Sequence, residues 1–191
     1  MPHHQDEPIA DMPSLVAAVA AGLRPQYIFF WNVSPGRRAQ LDKECLSQWW
    51  PCAFEVEGVT YPSAEHFMMA EKARLFGDAE ARAAILSNPS PEAAKKLGRG
   101  VRGFDSAHWN QHCFEIVTRG NLAKFSQNPP LHCFLIDTCP KILVEASPYD
   151  QIWGIGLAED DPRALEPRLW PGKNLLGFAL MAVRARLAAR A

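Results

Sequence analysis

Glu65 and Lys72 stand seven residues apart in the run Tyr61-Pro62-Ser63-Ala64-Glu65-His66-Phe67-Met68-Met69-Ala70-Glu71-Lys72. Seven residues are close to two helical turns. On a helix that begins after Pro62, a carboxylate and an amine therefore project from one face, roughly 10 Å apart along the axis. Such a pair is either an exposed ion pair or a reactive pair at the wall of a pocket. In a pocket, an ionised Glu65 stabilises a cationic, sugar-like transition state or activates a water. A partly buried Lys72 with a depressed pKa forms a Schiff base with an opened sugar aldehyde. Position alone favours the plainer roles: Glu65 complements a helix dipole, and Lys72, beside Glu71 and Arg74, extends to water.

Two further segments carry chemistry. Lys95-Lys96-Leu97-Gly98-Arg99-Gly100-Val101-Arg102 places four positive charges and two glycines at a helix end, where Arg99 and Arg102 suit a phosphate. The plain alternative is a solvated terminus with a glycine cap. Asp150-Gln151-Ile152-Trp153-Gly154-Ile155-Gly156-Leu157 offers the flat face of Trp153 to a nucleobase, with Gly154 allowing close backbone approach. Its Gly-x-Gly lacks the third glycine and the immediate helix of a dinucleotide fingerprint. Here the plain alternatives are a core aromatic and, for Asp150, a turn residue. Asn174 reads as a helix cap. Of the six tryptophans, most belong to the core, and two or three beside a cleft would stack a planar base. No cofactor is called for. The five cysteines form no CxxC pair, and neither His112-Cys113 nor His132-Cys133 has the spacing of a metal chelate.

The elements that must position these groups follow from punctuation and periodicity. The chain has 191 residues, 48% of them hydrophobic, and a formal net charge of −1, which fits one globular domain and argues against a strong non-specific grip on duplex nucleic acid. Residues 1–13 read as a polar tail, and Ser14 as the cap of a short helix over 15–23. Strands are expected at 27–31, 54–61 and 141–145, and a loop at 34–38. Helices are expected at 64–76 under a Ser63 cap, at 79–86, at 92–97 ended by Gly98, at 109–125, at 129–135 and at 175–190. Residues 104–108 read as a connector and 150–171 as a loop. The fold class is a helix-dominated α+β domain with a few short strands. No stretch is long and apolar enough for a bilayer, and none resembles a targeting segment, so a cytoplasmic protein without a membrane partner is expected.

Taken together, Phe29-Phe30-Trp31, Leu46-Ser47-Gln48-Trp49-Trp50-Pro51, Ser63-Ala64-Glu65-His66-Phe67, Ala70-Glu71-Lys72, Lys96-Leu97-Gly98-Arg99, Asn121-Leu122-Ala123-Lys124-Phe125, Leu143-Val144-Glu145-Ala146-Ser147, Trp153-Gly154-Ile155-Gly156-Leu157 and Asn174-Leu175-Leu176-Gly177 resemble the NADAR (YbiA-like) family in order. The resemblance runs over about residues 27–187. It divides the chain into a tail with a short helix (1–26) and a NADAR/YbiA-like domain (27–191). It implies N-glycosidase chemistry on a ribosylated planar base. Some members cleave phosphoribosylamino-pyrimidines of riboflavin biosynthesis, and others remove ADP-ribose from guanine, so the implied partner is a small ribosylated base or ADP-ribosylated guanine, free or on nucleic acid. A non-catalytic module that binds NAD or ADP-ribose is the alternative.

By motif, the resemblance makes Glu65 the catalytic carboxylate and Lys72 the lysine that some members use covalently. Trp31, His66, Trp109, Trp153, Gly154 and Asn174 would line the substrate site, and Arg99 would meet phosphate. One departure is Ile155, where members with the riboflavin-pathway activity tend to carry an acid (Trp-Gly-Asp-Gly). A second catalytic carboxylate would then have to be Asp150, Glu145 or Asp160, and Asp150 is the candidate carried forward.

Overall fold

The computed structural model describes residues 9–33 and 41–190. The loop expected at 34–38 and most of the expected tail lie outside them. Helix α1 spans Met12–Ala20. It starts three residues before the expected helix because Asp11, not Ser14, is the cap: the Asp11 carboxylate accepts the Ser14 N–H, and the Ser14 hydroxyl oxygen accepts the Asp11 N–H.

Strand β1, Tyr27–Phe30, pairs in parallel with β4, Ile142–Glu145, in the register Tyr27↔Ile142 to Phe30↔Glu145. The single strand expected over 54–61 is instead a hairpin of β2, Phe54–Val56, and β3, Val59–Tyr61. Glu57 and Gly58 both take positive φ, 53° and 76°, the geometry of a two-residue hairpin turn. The alternation across 54–61 continues through that turn and so concealed it.

Between β1 and β4 run α2 (Ala64–Leu75), α3 (Ala79–Ser87), α4 (Pro91–Arg99), α5 (Ser106–Gln127) and α6 (Pro129–Asp137); α7 (Leu175–Ala188) closes the chain. Ser63 caps α2 and Gly77, at φ 70°, follows its end, as the sequence predicts. Two expectations fail. Residues 104–108 are not all connector, because Asp105 caps α5 and accepts the His108 N–H at 2.6 Å. Gly98 does not stop α4 but lies inside it, where a Cβ would sit 2.1 Å from the Met69 sulfur. Its lack of a side chain lets α4 press against α2.

Two apolar clusters flank the β1–β4 pair. Leu143 belongs to the larger, with Phe67, Phe125 and Leu180; Ile142 and Val144 belong to the second, with Leu15, Ile155 and Phe178. Successive strand residues face opposite sides, so Glu145 continues the Leu143 face, towards the cluster that contains α2. α1 contributes Leu15 to the second cluster, so the N-terminal helix packs on the domain. No helix among the described residues is long and apolar enough to cross a membrane.

Candidate active site

Glu65 lies in the first turn of α2 and is only 4% exposed. Its backbone N–H, which has no partner within the helix, donates to the Gln48 carbonyl at 3.0 Å. Its carboxylate accepts a hydrogen bond from the Trp49 side chain and lies within electrostatic reach of Lys95 and Arg99 on α4. Burial lifts its pKa to about 7; Lys95, the Trp49 bond and Arg99 pull it down, and Asp150 adds a smaller upward push. The Lys95 ammonium stands 5.9 Å from the Trp49 ring centre, so a cation and an indole converge beside the same carboxylate.

Residues 47–50 are held in place by α5. The Lys124 ammonium, fully buried, donates to the carbonyls of Cys45 and Ser47 at 2.7 and 2.8 Å. The Asn121 amide donates to the Gln48 side-chain oxygen at 2.8 Å. The Asn121-Leu122-Ala123-Lys124-Phe125 run thus positions the loop that delivers Trp49 to Glu65.

The C-terminal end of β4 lies within electrostatic reach of Glu65 through Glu145. Glu145 is raised to about 8 by burial, with Asp150 and Glu65 pushing in the same direction and Lys95 opposing. One of its carboxyl oxygens, Oε2, is buried and has no hydrogen-bond partner among the described residues. Its backbone is pinned on both sides: the N–H donates to the Asn174 side chain at 3.0 Å, and the carbonyl accepts from Ile155 at 2.9 Å. Asp150 accepts the Ile152 and Trp153 N–H groups on one carboxyl oxygen, both at 2.8 Å, and so organises the turn that follows. Trp31, just past β1, and Tyr149 present exposed rings with centroids 5.8 Å apart. These aromatics stand at the carboxyl ends of the paired parallel strands, a common location for ligand sites in open sheets.

Lys72 does not pair with Glu65. Its ammonium donates to the Gly98 carbonyl, near the C-terminus of α4, at 2.8 Å and lies 4.0 Å from the Phe104 ring centre and 5.8 Å from that of Trp109. Burial depresses its pKa, and the charge of Arg99 adds to the effect. The exposed Arg99 acts on both Glu65 and Lys72 and so bridges the two halves of the site. Glu71 belongs to a different face, where it is buried and ion-paired with Arg74 and Arg119.

Other expected ligand contacts serve the fold. His66 is fully buried; its Nδ1 meets the Ser63 hydroxyl at 2.7 Å and its Nε2 the Asn88 carbonyl at 2.8 Å. A carbonyl can only accept, so Nε2 carries the proton and Nδ1 accepts from Ser63. His66 therefore ties α2 to the end of α3 and has no ring nitrogen left for a ligand. Asn174, at φ 53°, is also fully buried and spends its amide on β4, accepting from Glu145 and donating to the Leu143 carbonyl at 2.9 Å. It is a clamp on the strand and makes no side-chain cap. Gly154 is buried with no room for a Cβ, which would come within 2.8 Å of the Glu145 carbonyl oxygen. Trp109 is buried, and Trp153 is half-buried against the larger core. Ile155 is fully buried in the second cluster, and Asp160 is exposed. The sequence alone does not mark Trp49, Lys95 or Tyr149 as site residues, because only the fold brings them near Glu65 or Trp31; it offers Glu145 as one of three possible second acids.

Among the described residues, no three His, Cys, Asp or Glu side chains gather closely enough to hold a metal ion. A depression of about 630 Å³ lies on another face of α4, lined by residues including Asp78, Lys96 and Arg102. Its principal acid, Asp78, is already paired with Arg102 at 2.7 Å.

The model of the NADAR domain matches residues 29–188. N-glycosidase R617 of Acanthamoeba polyphaga mimivirus is 44% identical over 83% of this chain and 95% of its own length. N-glycosidase YbiA of Escherichia coli K12 is 32% identical over 73% of this chain and 77% of its own. The NMR structure of E. coli YbiA superposes with a TM-score of 0.70 at 28% identity, covering 88% of each chain. With the motifs in order, the fold in common and most of its length matched, this chain belongs to the NADAR domain family.

Proposed function

We propose that this N-glycosidase cleaves the bond between a ribose and a planar base, with Glu65 facing the reacting C1′ carbon and Lys72 engaging the sugar from the other side of Arg99. The observation that carries the proposal is the environment of Glu65: a buried carboxyl with its pKa lifted to about 7, held by Trp49 and flanked by Lys95 and Arg99. Such a group changes protonation near neutral pH, where acid–base catalysis is most effective. As the C1′–N bond lengthens, positive charge grows on the ribose, and an ionised Glu65 stabilises it or steers the attacking water.

Lys72, depressed in pKa and held by the Gly98 carbonyl, is the amine that captures an opened ribose as an imine. The exposed Arg99 accepts a phosphate between the two. Trp31 and Tyr149 supply the stacking surface for the base. The substrate classes that fit are phosphoribosylamino-pyrimidines and ADP-ribosylated guanine, which share a planar base, a ribose and phosphate.

Glu65→Gln is expected to lower turnover by ~10²–10⁴-fold, the usual worth of a positioned acid or base, with an unchanged melting temperature. Full activity in that variant refutes the assignment. Borohydride added during turnover is expected to trap a covalent adduct on Lys72; a Lys72→Arg enzyme that retains wild-type turnover removes the covalent step.

A further inference from the structure

We propose that Glu145 is the general acid that protonates the departing base, working opposite Glu65. This rests on the N-glycosidase reading above and assigns a second carboxyl to it. Three features of the fold place Glu145 in that role. Strand alternation points it to the α2 side, because it shares the Leu143 face while Ile142 and Val144 face the second cluster. Its main chain is immobilised, with the N–H on Asn174 and the carbonyl on Ile155. Its Oε2 is buried and has no partner among the described residues, so they leave one carboxyl oxygen uncommitted at the strand end nearest Trp31 and Tyr149. A buried polar atom without a partner is costly, and one kept at a site is often reserved for a ligand.

The clamp behind Glu145 is built for close approach. A Cβ on Gly177 would lie 2.1 Å from the Leu143 carbonyl and 2.5 Å from the Asn174 amide nitrogen, so α7 presses Asn174 directly onto β4. Position 155 cannot take over the role: Ile155 is fully buried in the second cluster, on the far side of the strand pair from Glu65.

The charged groups around Glu145 divide the labour. Asp150 and Glu65 both disfavour a second negative charge there, whereas Lys95 acts on both glutamates and the Trp49 bond on Glu65 alone. The Trp49 bond stabilises a charge on Glu65 while the unpartnered Oε2 gives none to Glu145, so the charge belongs on Glu65 and the proton on Glu145, the separation of roles expected when two carboxyls share a site. In the reaction, the C1′–N bonding pair leaves with the base nitrogen, which takes the proton of Glu145. Water adds to C1′ and gives a proton to Glu65; the released ribose opens to its aldehyde, and the Lys72 amine condenses with that aldehyde, expelling water, to give the imine that hydrolysis later returns to free sugar and amine. The cycle ends with Glu65 protonated and Glu145 ionised, and proton exchange between them or with solvent restores the starting state.

The test compares two substrates with the same ribose 5-phosphate: one carries an aminopyrimidine, whose nitrogen needs a proton to depart, and the other is p-nitrophenyl riboside 5-phosphate, whose phenoxide leaves unaided. Glu145→Gln is expected to lose ~10²–10⁴-fold on the first and less than roughly five-fold on the second, whereas Glu65→Gln loses on both. For the wild-type enzyme, kcat/KM on the aminopyrimidine substrate is expected to fall as pH rises above about 8, with no such fall on the nitrophenyl substrate. That comparison needs no variant and stands even if Glu145→Gln fails to fold. Equal losses on both substrates, no loss on the aminopyrimidine, or identical alkaline limbs overturn the role of Glu145 and leave the N-glycosidase reading intact. A wild-type enzyme that cleaves neither of these nor an oligonucleotide carrying ADP-ribosylated guanine overturns both.

Discussion

Replacing Trp49 with Phe keeps an aromatic ring in the loop and deletes the Trp49 side-chain hydrogen bond to the Glu65 carboxylate. The bond favours the ionised form, so its loss pushes the Glu65 pKa up from about 7. A hydrogen bond to a charged group contributes ~1.5–3 kcal/mol, and one pKa unit corresponds to about 1.36 kcal/mol, so the shift is about 1–2 units. If catalysis needs Glu65 ionised, the acid limb of the kcat/KM profile moves to about pH 8–9, and kcat/KM at pH 7 falls roughly 5–50-fold. The assay is a kcat/KM profile from pH 5 to 9.5 on wild type and Trp49→Phe with a ribosylated base, with circular dichroism to confirm folding. An acid limb that stays where it is refutes the coupling of Trp49 to Glu65. So does a loss that is the same at every pH, since Trp49 would then contribute only packing.

The raised carboxyls also affect stability. The folded pKa of Glu145 lies above its ordinary value of 4.5, so between pH 4.5 and about 8 the folded protein keeps a proton that the unfolded chain releases, and stability falls as pH rises through that window. Glu145→Gln removes this penalty, so urea unfolding should show the variant more stable than wild type at pH 8, by on the order of 1–4 kcal/mol, with the difference gone at pH 4.5. Lys124→Met strips the donor from the Cys45 and Ser47 carbonyls and leaves both without it in the interior. At ~1–3 kcal/mol per unsatisfied group, partly offset by the apolar replacement, a loss of about 2–4 kcal/mol is expected in urea titrations. The same variant should lose activity, because the loop bearing Trp49 is no longer anchored.

What could be read from the chain divides by range. α2 was legible because its signals are local: Ser63 caps it, Gly77 ends it, and Glu65 and Lys72 lie between. The hairpin over 54–61 was not, since strand alternation runs unbroken through Glu57-Gly58. Gly98 was misread because a helix-ending glycine and a close-packing glycine look alike until Met69 is seen across the contact. Glu65 and Lys72 share α2 but do not pair with each other: the Glu65 carboxylate meets Trp49, and the Lys72 ammonium meets the Gly98 carbonyl of α4. Glu145 joins the site only because β4 pairs with β1 and α7 clamps it, and Trp49 only because α5 reaches back through Asn121 and Lys124. Those contacts join distant segments and leave no periodic trace. His66 and Asn174 matched the family motifs for the converse reason, as residues that build the frame around the chemistry.

The most direct test of Glu65 as the centre of an N-glycosidase is product identification by mass spectrometry. Wild type and Glu65→Gln are incubated separately with a phosphoribosylamino-pyrimidine and with an oligonucleotide carrying ADP-ribosylated guanine. Wild type is expected to release the free base from at least one of them, and Glu65→Gln, with an unchanged melting temperature, to release ~10²-fold less or lower still. Release of no base from either substrate by the wild-type protein, or equal release by the folded Glu65→Gln variant, would contradict it.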